Sequence, residues 1–345
     1  MTTILRPTLW LLALAAALIP LPASLVERVY SRGIYPAFQP YVTRASNMIP
    51  IAILDIALGI LLIVLAARYA GAIRAHGWRR ASVRLALSLL TTTAVVYLLF
   101  LATWGLNYRR VPLEAKLDFD QSRISRDAAV RLATHAVERL NTGHAAAHAQ
   151  PFRPDVLQQS FVGAQLTLGD RGRAVTGRPK RSLVGLYFKR AAIDGMTVPI
   201  ALEIILNPDL LRVEQPSVLA HEWAHLAGYA DESEANFVGW IAGVRSEDPV
   251  ARYSAWLDAY RHAVNALPRA VRPTLPPLAA GPRADLVAIA ERYGRSSPAV
   301  RRAARGVYDS YLRANRIEEG IANYEVVLQL MLGTRFEDDW QPRLR

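Results

Sequence analysis

The sequence predicts a mainly α-helical protein with a small β-sheet, in which N-terminal transmembrane helices lead into one α+β domain built around a metal-binding helix. Three observations carry this expectation. The first 110 residues hold three long apolar runs, residues 216–237 place histidines and carboxylates at helical spacing, and residues 197–208 form a β-branched, apolar stretch closed by a turn. With 345 residues, 52% of them hydrophobic, the chain has room for a membrane part and one further domain of ordinary size.

The runs 8–26, 49–67 and 85–104 are almost uncharged, and each has about the 20 residues that a helix needs to cross a bilayer core. Residues 1–110 are therefore read as a membrane domain with three transmembrane helices, and residues 111–345 as a domain outside the bilayer. For the first run a cleaved signal peptide is the alternative, since Leu9 to Ile19 is followed by small residues near Pro22, Ala23 and Ser24. Only Arg6 precedes that run and its length exceeds the usual signal, which favours an anchor. Asp55 lies near the start of the second run, either as a functional intramembrane carboxylate or as a group facing a partner helix or the interface.

Orientation follows from the links. Arg68, Arg74, Arg79, Arg80 and Arg84 crowd the second link, whereas the longer first link carries only Arg28, Arg32 and Arg44. The positive-inside rule puts the second link in the cytoplasm and everything after Trp104 outside, against the pull of Arg109 and Arg110.

Ile124 to Leu140 has helical spacing with Ser125 or Asp127 as its cap. His135, His144 and His148 are scattered over this helix and a following loop, and no second metal site is expected there because no carboxylate cluster accompanies them. Thr197 to Pro208 reads as an edge strand with Pro199 near its start. On it, Glu203 either touches substrate, supports the site, or is a solvated edge carboxylate. The Pro-rich stretch from Leu267 to Pro282 is a loop before a last helical segment.

The chemistry is concentrated in His221-Glu222-Trp223-Ala224-His225. Residues four apart share one helical face, so His221 and His225 can point at a single ion, and Glu222 is offset toward the open coordination position, where it can deprotonate a water. Pro216 suits the first helical turn and Gly228 a left-handed end. A third ligand is sought among Asp231, Glu232 and Glu234. Asp231 and Glu234 read as a variant capping box at the start of a second helix, which leaves Glu232 as the leading choice. Asp231 stays open because Gly228-x-x-Asp231 matches a known third-ligand spacing, and Glu234 stays open as well.

Composition narrows the classes further. The chain has no cysteine, which excludes disulfides and thiolate metal sites. Its net charge of +12 comes largely from Arg, in membrane-flanking loops and in patches such as Arg171 with Arg173, Arg178 to Arg181, and Arg301 with Arg302. No nucleic-acid module accompanies these patches, so anionic headgroups of the lipid bilayer are the expected partner and nucleic acid is not.

Glu232-x-x-Ala235-Asn236 resembles the Glu-x-x-Ala-Asp/Asn signature of several zincin peptidases, in which the leading Glu binds zinc. More widely, the chain resembles a family of bacterial multi-span membrane proteins grouped as a domain of unknown function and regarded as zincin-like metallopeptidases. The resemblance rests on Val26 to Pro36, Trp104 to Arg109, His221 to Phe237, Tyr308 to Asn315 and Glu319 to Tyr324. Ser233, where the family often has an acidic residue, and Asn323 before Tyr324 depart from its pattern without touching the expected ligands.

The resemblance implies transmembrane helices in the bacterial cytoplasmic membrane and an outward-facing zincin-like domain holding Zn2+ through His221, His225 and a downstream Glu. A zinc-dependent peptidase acting on a peptide or protein near the membrane surface is the resulting expectation, with Glu222 as general base. Tyr311, Tyr324 and Arg316, carried by the family's closing segment, are the candidates for steadying the developing oxyanion, with Tyr324 preferred. A zinc amidase of cell-envelope substrates and a non-catalytic binding protein on the same fold are the alternatives.

Overall fold

The computed structural model describes residues 5–170 and 174–345, with the side chains at 321 and 323–325 outside the description; Arg171 and Arg173 of the basic patch also lie outside the described residues. In chain order the helices are α1 (Leu5–Leu18), α2 (Ala23–Met48), α3 (Ile53–Thr103), α4 (Arg126–Ala149), α5 (Pro154–Thr167), α6 (Gly185–Ala191), α7 (Gln215–Leu226), α8 (Glu232–Val244), α9 (Pro249–Ala266), α10 (Ala280–Gly294), α11 (Pro298–Ala314) and α12 (Asn323–Gly333). Three short strands, β1 (Pro179–Lys180), β2 (Gly195–Val198) and β3 (Glu203–Leu206), form a sheet in the order β1-β3-β2. The expectation of a mainly helical chain with a small sheet holds among the described residues.

The apolar runs differ from expectation in number. One described helix, α3, is long and apolar enough to cross a membrane, or two if the bent pair of α1 and α2 counts as one broken span, where three spans were expected. The reason lies at two breaks. Pro20 and Pro22 follow α1, which stops after 14 residues, about 21 Å of helix and short of a bilayer core of about 30 Å. The second and third runs join in the 51 residues of α3, interrupted at Gly77, whose φ of 75° and ψ of 163° are not helical. Across that break the Tyr69 hydroxyl lies 3.2 Å from the Ser82 hydroxyl, although so many residues of straight helix would span about 20 Å, so the chain folds back at Gly77. Trp10 of α1 donates to Thr91, which sets α1 beside the second half of α3. Large apolar side chains such as Leu11, Leu62 and Ile63 stand exposed along these helices, a surface that a water-borne domain would bury.

α2 belongs instead to the main core, where Val26, Tyr30 and Tyr35 pack with Trp223, Leu226 and Tyr229. Its polar face is tied to loops of the domain. Gln39 donates to Val175 O, Thr43 to Leu202 O and Asn47 to Thr176 O.

The stretch expected as one edge strand is a hairpin. Pro199 has no N–H to offer the ladder, the pairing of β2 with β3 ends at Val198 and Glu203, and the chain reverses through Leu202 at a φ of 46°. Glu203 therefore sits on the central strand, buried, and not on a solvated edge. Its carboxylate accepts from the amides of Ile53 and Leu54, the first turn of α3, and pairs with Lys180 at 2.8 Å. Those amides have no partner within their own helix, so a strand of the domain supplies the cap for the membrane-type helix. Asp55, one residue on, accepts from Ser182 Oγ at 2.7 Å and Leu183 N at 2.8 Å, so it too faces the domain.

α4 is longer than its periodicity predicted. Ser125 rather than Asp127 caps it, accepting from Ala128 N, and it runs to Ala149, so His135, His144 and His148 all lie on one helix.

Candidate metal centre

Two crossing helices build the centre. α7 begins with Pro216 in its first turn and ends as expected at Gly228, whose φ of 93° lets Tyr229 N reach back to Ala224 O. α8 is capped by Asp231, whose Oδ1 accepts from the amides of Ser233 and Glu234, so the Asp231 half of the expected capping box holds, while the Glu234 carboxylate accepts from the remote Leu113 N. The helices approach closely because Gly239 faces the α7 backbone, where an added Cβ would lie 3.0 Å from His221 N.

His221, His225 and Glu232 converge at this crossing. The two Nε2 atoms lie 3.0 Å apart, and Glu232 Oε2 is 3.3 Å from the first and 3.4 Å from the second. Bonds of about 2.0–2.1 Å in a tetrahedron set neighbouring ligand atoms about 3.3 Å apart, so the spacing fits a zinc-sized ion. A second observation agrees. Glu232 Oε2 is buried without a well-aligned hydrogen-bond donor, an arrangement that a cation satisfies.

The charges lean the same way. Burial disfavours ionisation of Glu232, yet the His225 charge and the nearness of both histidine rings hold it well below the usual carboxylate range. Burial likewise disfavours the His225 cation, but Glu232 and Glu222 beside it raise its pKa to about 9. The two carboxylates thus favour positive charge at this point, the electrostatics that a bound cation needs.

Two of the three donors are aimed by a neighbour. His225 Nδ1 is 2.7 Å from Tyr229 O, which selects the tautomer with its proton on Nδ1 and leaves Nε2 free to bind. The Tyr308 hydroxyl of α11 donates to Glu232 Oε1, so that Oε2 turns to the histidines. The two other carboxylates are occupied elsewhere. Asp231 is the cap, and Glu234 accepts from Leu113 N at 2.5 Å, with its pKa pushed to about 7 by burial and by Asp231.

Glu222 is buried beside this group with Oε2 accepting from Thr197 Oγ1 of β2 at 2.7 Å. Burial pushes its carboxyl up, and His221 and His225 pull it back. The edge strand β2 passes so near that a Cβ on Gly195 would come within 2.6 Å of Glu222 Oε1, which is why a glycine stands there. The sequence marks Thr197 only as the start of a strand, because nothing in the spacing of Thr197 or Gly195 connects them to α7.

The end of α7 is held by the membrane-flanking segments. Trp104 Nε1 donates to His225 O at 2.7 Å, Tyr35 to Leu226 O at 2.7 Å, and Arg110 to Gly228 O at 3.0 Å. These are the carbonyls a helix cannot satisfy internally. At its other end Glu214 receives the Arg292 guanidinium in two bonds of 2.6 and 2.7 Å.

Among the oxyanion candidates, the Tyr324 side chain lies outside the described residues. Tyr311 stacks on Tyr308 and accepts from Tyr108, while Arg316 is exposed and donates to Ile19 O. Among the described residues, no hydrogen bond joins either of these two to a ligand of the centre.

A model of the family described as "Protein of unknown function (DUF3810)" matches residues 30–332. No curated protein and no solved structure matches the chain significantly.

Proposed function

The chain belongs to that family of unknown function, which spans it from residue 30 to 332, and on this premise we propose that it is a membrane-anchored, zinc-dependent metallopeptidase of zincin type. The observation that carries the reading is the convergence of His221, His225 and Glu232 with the buried Glu222 alongside. Zinc held by the three would supply a Lewis acid that acidifies a water and polarises a carbonyl. Glu222 then acts through Oε1, since Thr197 occupies Oε2: it takes the proton from the attacking water and returns it to the departing nitrogen. Tyr308 keeps Glu232 from swinging away, and the Tyr229 carbonyl does the same for His225. β2, an edge strand against α7, offers an extended peptide an antiparallel partner next to Glu222.

The test is Glu222→Gln in the purified full-length protein, with cleavage of a peptide library followed by mass spectrometry. The variant keeps its metal while turnover falls by roughly 10²–10⁴-fold. Unchanged turnover, loss of metal in the variant, or no cleavage of any peptide by the parent would each sink the reading.

In the bilayer, the two halves of α3 are proposed as adjacent spans joined at Gly77, with α1, too short to cross by itself, packed beside them. Arg68, Arg74, Arg79, Arg80 and Arg84 surround the joint, which supports a cytoplasmic joint and a metal centre on the outer face. Reporter fusions after residue 110 and within residues 70–82 are expected to signal from opposite sides. A cytoplasmic signal from the former reverses the orientation.

A further inference from the structure

We infer that His144, His148 and Asp285 form a second cation site, separate from the first, which takes one divalent first-row ion of intermediate softness such as Zn2+. The two histidines lie four apart on α4, and Asp285 reaches them from α10. Asp285 Oδ2 is 3.0 Å from His148 Nε2 and 3.6 Å from His144 Nε2, and one donor atom from each of the three residues falls within 4.8 Å of the others.

Three features distinguish this cluster from a chance surface ion pair. An ion pair needs one imidazole, whereas here two rings stack at 4.2 Å and both face the same oxygen. As two cations they would repel face to face; as neutral rings they direct lone pairs to one place, which is what a metal requires. Next, the carboxylate is held by a third group: the Tyr253 hydroxyl of α9 donates to Asp285 Oδ2 at 2.6 Å, the outer-shell bond that orients a ligating carboxylate. Finally, Gly281 opens the first turn of α10 to the His144 ring, which any side chain there would overlap.

Two imidazoles and a carboxylate suit zinc and its neighbours rather than calcium or magnesium. His148 is exposed and His144 half-buried, so the remaining coordination positions face water and the ion exchanges with solvent. Its role follows from what α10 carries. Two turns after Asp285, the same helix presents Arg292 to Glu214 at the start of α7 and to Asp194 just before β2. An ion at Asp285 would tie α10 to α4 and so steady the clamp on the catalytic helix, as a structural cation and not a second reaction centre.

The experiment uses the full chain in detergent, stripped with a chelator and re-equilibrated with Zn2+ buffered by a competing ligand. The parent is expected to hold two equivalents, His144→Ala/His148→Ala one, and His221→Ala the other one. Asp285→Asn, which keeps the shape and the acceptor for Tyr253, guards against a folding artefact and is expected to lose the same equivalent. Tyr253→Phe keeps all three ligands and weakens that equivalent by about 10–100-fold. Added Zn2+ raises the melting temperature of His221→Ala, and ceases to when His148→Ala is added. A parent holding a single equivalent that only His221→Ala removes would overturn the inference, as would a second equivalent that survives both the double variant and Asp285→Asn.

Discussion

Two histidine pairs, each four residues apart on a helix, stand in opposite settings in this molecule. Around His221 and His225 the side chains are 13% and 8% exposed and the carboxylate 1%; around His144 and His148 they are 28% and 43%, with Asp285 at 13%. Both helices have their terminal carbonyls covered by side chains from elsewhere. On α7 the cover is Trp104, Tyr35 and Arg110, all buried, whereas on α4 it is the exposed guanidinium of Arg212 on the carbonyls of Ala147, His148 and Gln150. The same spacing therefore yields a dry, rigidly backed site in one place and a wet, exchangeable one in the other. Spacing makes a pair possible; burial and backing decide what it is for.

The largest effect that separates the two regions is expected from their carboxylates. Glu232→Ala should empty the buried centre and abolish turnover, because nothing else among Asp231, Glu232 and Glu234 points at the histidines. Asp231→Ala and Glu234→Ala should keep that ion and lose stability instead, by about 1 kcal/mol for the lost cap at Asp231. Metal analysis alongside thermal unfolding checks all three. Full zinc in Glu232→Ala, with loss in either neighbour, would move the ligand assignment.

Why one region was legible in the sequence and the other was not is a matter of chain distance. His221, His225, Asp231 and Glu232 lie within 12 residues, so helical geometry and capping alone sort ligand from cap. Asp285 stands 137 residues from His148, and only the packing of α10 against α4 joins them. The fold shows the same division. Locally coded features came through: the α7 start and stop and the Ser125 cap. Features set by long-range contact did not. Glu203 looked like an edge carboxylate because its partners, Lys180 and the amides of residues 53 and 54, are remote in sequence. Tyr308 lay within a block that carried the family resemblance, but no spacing rule connected it to Glu232.

That oversight gives a test of intermediate size. Tyr308→Phe removes one hydroxyl from Glu232 Oε1 and frees the carboxylate to rotate, so zinc affinity at the buried centre should fall by about 10–100-fold while the open cluster is untouched. Competition with a chelator of known affinity measures it. An unchanged affinity would mean that burial alone fixes Glu232, and that backing matters less than the comparison claims.

The smallest expected effect tests the helix ends. Trp104→Phe keeps a ring against His225 but removes the N–H that reaches the His225 carbonyl. That carbonyl retains a bond from Gly228 N at 3.0 Å, so it is not orphaned, and the loss should be near the ordinary net value of one hydrogen bond, about 1 kcal/mol. On the other helix, water can replace the guanidinium of Arg212 at the carbonyls of the exposed His148 and Gln150, so Arg212→Ala should change stability by no more than about 0.5 kcal/mol. Denaturant unfolding of the two variants in one detergent gives both numbers. If Arg212→Ala costs as much as Trp104→Phe, the two helix ends are equally rigid, and the exchangeability assigned to the open pair must come from its exposed ligands alone.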